Sequence, residues 1–266
     1  MRYYQLPTEG SDGSGRLVVE TDAGDAYDLS TASDDLGSFT ALARAANATD
    51  RRLDDVAATR IGDADRLDRA TAVADAGCPV SAEEVWASGV TYRISEQARE
   101  AESGKPEIYL DVYESARPEL FLKATPSRTV GPNESIGVRG DSEWDVPEPE
   151  LAVVVHRGDI VGYTVGNDVS SRDIEGDNPL YLPQAKIFDR CCALGPCVAS
   201  PETVGDPHDL DISMTITRDG ERVFSGETST AEMVRTCEEL TTYFIRHNAV
   251  PEIAVLLTGT SIVPDD

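Results

Sequence analysis

Lysine and histidine are scarce in this chain and C-x-x-C cysteine pairs are absent, and these gaps in composition exclude several classes of function. Basic residues number 23 against 49 acidic ones, and three of the 23, Lys105, Lys123 and Lys186, are lysines. The formal net charge of −26 provides no basic stripe on which a nucleic acid or an anionic membrane could bind. There is no apolar run of about 18 residues to span a membrane and no apolar signal core, so we expect a cytoplasmic protein.

The cysteines and histidines have no spacing typical of a metal or disulfide site. The five cysteines include no C-x-x-C pair, and the three histidines are scattered. A disulfide framework and a zinc site are therefore disfavoured. We expect the adjacent Cys191 and Cys192 to be small core residues.

The acidic residues are spread over the whole chain, and most of the basic residues are arginines. This pattern favours a halophilic protein, because concentrated salt screens the repulsion between like charges. An ordinary acidic cytoplasmic protein is the alternative.

Two domains, residues 1–80 and 81–266, are predicted from a change in composition near Gly77–Val80. The first is a small N-terminal domain, with strands predicted at Arg2–Leu6, Arg16–Glu20 and Asp25–Leu29 and a helix at Asp35–Asn47. The second has helices predicted at Ser95–Ser103 and Thr230–His247, and strands at Leu120–Ala124, Ser135–Arg139, Leu151–Val155, Ile160–Val165, Asp211–Arg218, Glu221–Glu227 and Ala254–Gly259. Many strands without regular βαβ alternation indicate a β-rich α+β fold.

Two glutamates precede the most apolar segment of the chain, Leu151–Val155. Glu148 and Glu150 are two residues apart, so in an extended strand their side chains lie on the same face. Pro147 and Pro149 favour an extended conformation and disfavour a helix. We therefore expect both carboxylates to project together.

A third carboxylate is predicted to join these two through a hairpin. The strand predicted at Ile160–Val165 leads into Asp168, and a turn is expected around Gly158. A hairpin centred near Gly158 places Asp168 opposite Glu148, and a two-residue turn at Gly158–Asp159, which shifts the register by one, still leaves it beside the two glutamates.

Three carboxylates held together repel one another unless protons or a cation compensate. An all-oxygen ligand set favours Mg²⁺, Mn²⁺ or Ca²⁺ over zinc. A solvated acidic rim is the alternative in a protein this acidic.

Lys186 stands in an apolar, proline-bounded segment, which favours a role in binding a substrate carboxylate or in acid–base chemistry. Simple pairing with nearby acids is the alternative. Glu119 and Lys123 flank another apolar run, and their even spacing places them on one face of a strand.

Several motifs, in the same order, resemble those of the fumarylacetoacetate hydrolase family. They lie between Trp86 and Pro264, and they are Trp86–Tyr92, Arg117–Phe121, Pro147–Glu150, Gly166–Asp173, Gln184–Lys186 and Thr258–Thr260. The resemblance implies a fumarylacetoacetate-hydrolase-like β-sandwich or roll for residues 81–266.

The resemblance also implies roles for individual residues. Mg²⁺ would be held by Glu148, Glu150 and Asp168, with Mn²⁺ or Ca²⁺ as alternatives. Lys186 and Glu119 would be catalytic, and Thr260, Tyr92 and Arg172 would bind substrate.

One departure from the family pattern favours elimination over hydrolysis. The family's hydrolases carry Asn-Tyr-x-x-His-x-x-Glu, whose His–Glu pair activates water, whereas Ser95 and Ala98 occupy those two positions here. Taken with this departure, the family resemblance implies a metal-dependent dehydratase that converts a 2-keto-3-deoxy pentonate to 2,5-dioxopentanoate in pentose degradation. Either Lys186 or Glu119 would remove the C3 proton.

Other activities stay open at this point. An acylpyruvate hydrolase or an oxaloacetate decarboxylase would share the metal site, and a non-catalytic cation-binding protein would share the fold. The expected partner is a small 2-keto acid, with no nucleic acid or membrane. The family resemblance suggests a homodimer or homotetramer.

Overall fold

The structure is a computed structural model that describes residues 1–7, 15–92 and 111–264. Its strands, in chain order, are β1 Arg2–Leu6, β2 Arg16–Glu20, β3 Ala26–Asp28, β4 Asp65–Leu67, β5 Glu84–Ala87, β6 Phe121–Ala124, β7 Thr129–Val130, β8 Asp145–Val146, β9 Pro149–His156, β10 Asp159–Asp168, β11 Ser170–Ser171, β12 Cys192–Ala199, β13 Asp211–Arg218, β14 Glu221–Ser229 and β15 Ile253–Leu257.

Short helices connect these strands. The α-helices that lie entirely within the described ranges are α1 Leu29–Ala32, α2 Phe39–Thr49, α3 Leu53–Ala58, α4 Arg69–Ala74, α5 Arg172–Asp177, α6 Leu182–Lys186, α7 Pro201–Val204 and α8 Cys237–Ile245. Turns of 3₁₀-helix lie at Asp34–Leu36, Ile61–Asp63, Pro126–Arg128, Pro179–Tyr181 and Thr230–Glu232.

An 11-stranded sheet organises the described part of the chain, in the order β4-β3-β2-β1-β12-β10-β9-β15-β5-β6, with β7 pairing beside β12. The N-terminal strands join this sheet through β1, which pairs antiparallel with β12 at Arg2↔Ala199 and Tyr3↔Val198. The sheet is therefore continuous across the boundary proposed near residue 80. The predicted β-rich α+β class is confirmed.

The central hairpin, β9–β10, has the register predicted from the sequence, although its turn lies earlier than predicted and a bulge adjusts the pairing. Arg157 and Gly158 form its two-residue turn, and both have positive φ, 53° and 99°, as a type I′ turn requires. A bulge between Ile160 and Gly162 then shifts the pairing by one residue. The backbone N–H of Asp168 consequently donates to the carbonyl of Glu148 at 2.9 Å.

Buried residues of β9 alternate between two apolar cores on opposite faces of the sheet. Ala152 and Val154 belong to the core that contains residues of α2, whereas Leu151, Val153 and Val155 belong to the core that contains residues of α8. Burying each of the larger side chains contributes about 1.5–3 kcal/mol. The hairpin that carries the acidic residues is thus held on both faces.

A second hairpin, β13–β14, forms a separate two-stranded sheet. Its turn is Asp219–Gly220, and both residues have positive φ, 54° and 83°. The hairpin predicted at this dipeptide is confirmed.

Two predicted elements are wrong, and backbone hydrogen bonds explain both. The predicted helix Thr230–His247 is a 3₁₀ turn followed by α8, because the N–H of Val234 donates to the carbonyl of Thr91 and Thr236 caps a new helix. The predicted strand Ser135–Arg139 is irregular, and the N–H of its Gly137 donates to the carbonyl of Arg190.

Two N-terminal elements have different limits from those predicted. The predicted strand Asp25–Leu29 stops early because Asp28 accepts a hydrogen bond from Ser30 N–H and caps α1. The predicted helix Asp35–Asn47 becomes α-helical only after Ser38, whose hydroxyl caps α2. The helix predicted at Ser95–Ser103 lies outside the described residues.

Candidate active site

Three buried carboxylates, Glu148, Glu150 and Asp168, lie together at the end of the β9–β10 hairpin opposite its turn. They are 4%, 3% and 1% exposed, and each offers an oxygen within 4.8 Å of the oxygens of the other two. Glu150 is the second residue of β9, and Asp168 is the last residue of β10. The antiparallel register therefore brings together the three residues that the sequence singled out.

Lys186, the last residue of α6, places its ammonium group among these carboxylates. Its Nζ donates to Glu148 Oε2 at 2.8 Å, to Asp168 Oδ2 at 3.1 Å and to Ser170 Oγ at 2.6 Å. The side chain is buried, so these contacts lie in a medium where charge interactions are strong.

Arg172 lies against Glu148 from the start of α5. Its Nη2 is 2.6 Å from Glu148 Oε1, and its Nη1 is 3.7 Å from Glu175 Oε2. The residue predicted to bind substrate therefore also supports a predicted metal ligand.

Lys123, on β6, approaches Asp168 from within the core. Its Nζ lies 2.7 Å from Asp168 Oδ1 and donates to the carbonyl of Val169 at 2.7 Å. Asp168 Oδ1 receives no hydrogen bond from the described residues. Its contact with Lys123 is therefore an ion pair and not an aligned hydrogen bond.

Glu148 and Glu150 differ in their electrostatic surroundings. Burial opposes ionisation of Glu148, but the charges of Arg172 and Lys186 outweigh it and hold the pKa of Glu148 at about 2. Burial, together with the charges of Asp168 and Glu148, raises the pKa of Glu150 well above its usual value. Of the two glutamates, Glu150 is the one in need of a compensating positive charge.

Lys186 keeps its proton in this arrangement. Burial by itself would lower the pKa of Lys186, but the charges of Asp168 and Glu148 outweigh it, and the pKa is raised well above the usual value.

Glu119 reaches the site from the segment just before β6. Burial raises the pKa of Glu119, and the charges of Glu175 and Asp168 add to this effect while Lys186 opposes it. A side chain on Gly89 would overlap the Glu119 carboxylate, since an added Cβ would lie 2.1 Å from Oε2. Glycine at position 89 therefore makes room for the Glu119 side chain.

Thr260 and Tyr92 lie on the Glu150 side of the site. The N–H of Gly259, next to Thr260, donates to Glu150 Oε2, and the Thr260 hydroxyl accepts from the N–H of Ile262 at 3.1 Å. Tyr92 is 1% exposed, and its hydroxyl has no hydrogen-bond partner among the described residues. Burial raises the pKa of Tyr92, and the charge of Glu150 contributes to the shift.

The donor set fits a hard divalent cation. Five carboxylates, those of the triad with Glu119 and Glu175, interact with three cationic side chains, those of Lys123, Lys186 and Arg172. With all eight groups counted as ionised, two negative charges are left over, which is the charge that one Mg²⁺ neutralises. The triad offers three carboxylate oxygens that lie close together and suit such an ion.

Sequence reasoning gave no role to three residues of this site, Ser170, Glu175 and Lys123. Ser170 stands inside the Gly166–Asp173 motif, which could have indicated it. Glu175 and Lys123 are brought in by tertiary packing, and the even spacing between Glu119 and Lys123 was the one available signal.

The family model for the fumarylacetoacetate (FAA) hydrolase C-terminal domain matches residues 84–263. The chain belongs to the fumarylacetoacetate hydrolase family. The prediction made from its motifs is thereby confirmed.

Two similar relatives within the family are named as sugar-acid dehydratases. The chain is 60% identical over 265 residues to a Haloferax volcanii protein named "Probable 2-keto-3-deoxyxylonate dehydratase", covering 100% of this chain and 90% of that protein. It is 48% identical over 192 residues to 2-dehydro-3-deoxy-D-arabinonate dehydratase of Saccharolobus solfataricus, covering 70% of this chain and 64% of that protein.

A solved structure has the same overall fold. It is that of 2-keto-3-deoxy-D-arabinonate dehydratase complexed with magnesium and 2,5-dioxopentanoate. The two structures agree with a TM-score of 0.81 at 36% identity, over 100% of this chain and 89% of that one.

Among the described residues, no helix is both long enough and apolar enough to cross a membrane.

Proposed function

We propose that this family member is a Mg²⁺-dependent dehydratase that converts a 2-keto-3-deoxy pentonate to 2,5-dioxopentanoate, with Mn²⁺ or Ca²⁺ as alternative ions. The observation that carries the proposal is the buried Glu148–Glu150–Asp168 triad with Lys186 in contact with two of its members. The named relatives, among them one bound to magnesium and 2,5-dioxopentanoate, support the same chemistry.

The substrate class follows from the chemistry of the product. Loss of the C3 hydrogen and the C4 hydroxyl as water leaves a C3=C4 double bond conjugated with the C2 ketone. A proton then moves from C5 to C3, and the resulting C4=C5 enol becomes the C5 aldehyde. No electrons are gained or lost overall, so no redox cofactor is needed.

A divalent cation held by Glu148, Glu150 and Asp168 would supply Lewis acidity at the C2 carbonyl, which acidifies the C3 hydrogens. Lys186 and Glu119 form the acid–base pair: one removes the C3 proton and the other protonates the departing C4 hydroxyl. Both side chains lie within electrostatic reach of each other and of Asp168.

Substrate recognition falls to Thr260, Tyr92 and Arg172. The Thr260 hydroxyl accepts from a backbone N–H and can donate its own hydrogen to a substrate oxygen. The buried Tyr92 hydroxyl gains a partner when a ligand oxygen reaches it, which relieves an unsatisfied donor worth about 1–3 kcal/mol. Arg172 provides positive charge for the substrate carboxylate.

The relatives named for xylonate and arabinonate point to one compound. D-xylonate and D-arabinonate differ in configuration at C2 and C3, and neither centre survives in the 2-keto-3-deoxy acid. We infer that the substrate is the D-configured acid, with C4 as its one stereocentre. The C4 epimer is the matched control substrate.

The decisive assay measures 2,5-dioxopentanoate formed by the full chain in molar salt, with Mg²⁺ and with a chelator. We expect turnover with Mg²⁺ and none with the chelator. Pyruvate or CO₂ as product would instead support a hydrolase or a decarboxylase, and cation binding without turnover would support a binding protein.

Deuterium exchange assigns the two acid–base roles. In D₂O, the variant that lacks the base incorporates no deuterium at C3, whereas the variant that lacks the acid exchanges C3 hydrogen without losing hydroxide. Comparing Lys186→Met with Glu119→Gln therefore separates the two roles. Near-normal turnover by either variant would remove that residue from the chemistry.

We also propose a halophilic, cytoplasmic homodimer or homotetramer. The net charge of −26 and the 60% identity to a Haloferax volcanii protein support salt adaptation. The exposed apolar side chains of Val165 and Val223 support assembly into an oligomer. Light scattering in molar salt measures the assembly, and a monomer mass would contradict it.

A further inference from the structure

Lys123 is the most deeply buried charged side chain near the site, at 0% exposure. Basic positions elsewhere in the chain are almost all arginines, since lysines occur only at positions 105, 123 and 186. A chain with so few lysines keeps two of them, Lys123 and Lys186, on the same aspartate, Asp168.

The Lys123 ammonium joins two parts of the site that the chain connects only distantly. It donates to the carbonyl of Val169, directly after Asp168, and to the carbonyl of Lys186 itself. It also lies 2.7 Å from Asp168 Oδ1 and 5.4 Å from the centre of the Phe188 ring. One charged group on β6 thus contacts the end of β10 and the end of α6.

We infer that Lys123 is a positioning residue, which fixes the carboxylate of Asp168 and the backbone of Lys186 relative to each other. The inference rests on the proposed function, because Asp168 is a proposed metal ligand and Lys186 a proposed acid–base group.

A direct catalytic role does not fit the geometry. Lys123 has no exposed surface, and its ammonium is surrounded by oxygens of Val169, Asp168 and Lys186. A compact ammonium fits between these three oxygens, whereas a planar guanidinium presents its donors in a rigid fork. This difference accounts for a lysine here in a chain whose basic residues are mostly arginines.

Positioning and electrostatics predict opposite effects on cation binding. If Lys123 acted only through its charge, its removal would strengthen cation binding, because a nearby positive charge would be gone. If it holds Asp168 in place, its removal weakens binding although the electrostatic effect favours the ion. The sign of the change therefore decides between the two roles.

The test is Mn²⁺ affinity of the full chain in molar salt, measured by calorimetry for wild type and Lys123→Met. We expect binding about 10- to 100-fold weaker in the variant, as for other groups that orient a metal ligand. We also expect reduced kcat at saturating metal, because Lys186 is displaced as well. Unchanged or tighter Mn²⁺ binding would overturn the inference.

Three further variants complete the experiment. Lys123→Arg retains the charge, so charge alone predicts unchanged affinity while positioning predicts weaker binding. Arg66→Met removes an exposed charge far along the chain and controls for net charge. Asp168→Asn combined with Lys123→Met should weaken binding by less than the product of the two single effects.

Failures of the inference and of the proposed function are distinguishable. A wild-type chain without Mn²⁺ binding, or a Glu150→Gln variant with full affinity, would contradict the metal site itself. Circular dichroism reports the fold of both Lys123 variants, and loss of fold in both would assign Lys123 to folding and overturn the positioning role.

Discussion

At the residue scale, two carboxylates on one strand face experience opposite electrostatic conditions. Arg172 and Lys186 contact Glu148 and favour its ionised form. Glu150 accepts a hydrogen bond from Gly259 N–H, but burial and the nearby carboxylates disfavour its ionised form. Glu150 is therefore the member of the triad whose charge is most costly without a cation.

Glu150→Gln tests this asymmetry. We expect the metal-free variant to be as stable as wild type or more stable, because a neutral amide removes the repulsion. We expect Mg²⁺ to raise its Tm little, whereas saturating wild type at 100 times Kd adds about 2.7 kcal/mol. Thermal scans with and without Mg²⁺ measure both effects.

Glu221→Gln, at an exposed position of β14, is the matched control and should respond to Mg²⁺ as wild type does. An equal rise in Tm for Glu150→Gln and wild type would show that Glu150 does not hold the ion.

The residue scale is also where sequence reasoning missed most. Glu148, Glu150 and Asp168 could be singled out because strand periodicity and one turn bring them together. The contacts of Lys123 could not be predicted, because its partners at positions 168, 169 and 186 lie elsewhere in the fold. No local pattern encodes a contact made by packing between distant segments.

At the element scale, the position of Glu119 depends on the absence of a side chain at Gly89, just after β5. We expect Gly89→Ala to displace the Glu119 carboxylate, which is the flexible end of a side chain, and to leave the fold intact. A misplacement of this kind lowers kcat by up to about 100-fold. Steady-state kinetics measure the fall in kcat, and a Tm measurement checks that the fold is intact.

Gly62→Ala is the control for that variant, because an added Cβ there meets no atom within 4 Å. Wild-type kcat in Gly89→Ala would mean that the Glu119 position does not matter for turnover.

Another element-scale contact anchors the loop before β8 to the start of α5. Asp173 accepts hydrogen bonds from the hydroxyls of Ser142 and Ser171 and from the N–H of Glu143. Burial opposes its ionisation, but these hydrogen bonds outweigh burial and lower the pKa of Asp173 to about 2. The ionised side chain therefore stabilises the folded state.

The sign of the pH dependence follows from this lowered pKa. The contribution of Asp173 is present above its ordinary pKa of about 4 and is lost as the pH falls through about 2. We expect Asp173→Asn to reduce stability at neutral pH and to flatten the loss of stability below about pH 4. Urea unfolding at several pH values measures this, and identical pH profiles would contradict it.

The β9–β10 hairpin and the helix predicted at Thr230–His247 show which features of the elements could be predicted from the sequence and which could not. The register of Asp168 opposite Glu148 followed from one turn signal, although the turn lies at Arg157–Gly158 and a bulge corrects the pairing. The helix predicted through Met233 failed because the N–H of Val234 pairs with Thr91, a residue far away in sequence. Local periodicity predicts an element and cannot predict a competing distant partner.

At the scale of the whole molecule, the net charge of −26 opposes the compact state. The Debye length falls from about 10 Å at 0.1 M salt to about 3 Å at 1 M. We expect the Tm to rise steeply between 0.1 M and 2 M KCl, because screening removes repulsion between surface carboxylates.

A neutral osmolyte at matched osmolality is the control for that salt series, since it does not screen charge. A Tm that is independent of KCl would contradict salt adaptation and favour an ordinary acidic protein.

The continuity of the sheet constrains how this chain can change over evolutionary time. Strand β12 lies between β1 and β10, so the second to sixth residues of the protein are one strand removed from the strand that ends in Asp168. Deleting the amino-terminal strands would bare the hydrogen-bonding edge of β12, which invites pairing with other chains. Lineages that retain the hairpin carrying the three carboxylates must therefore keep this segment or cover the same edge with a substitute.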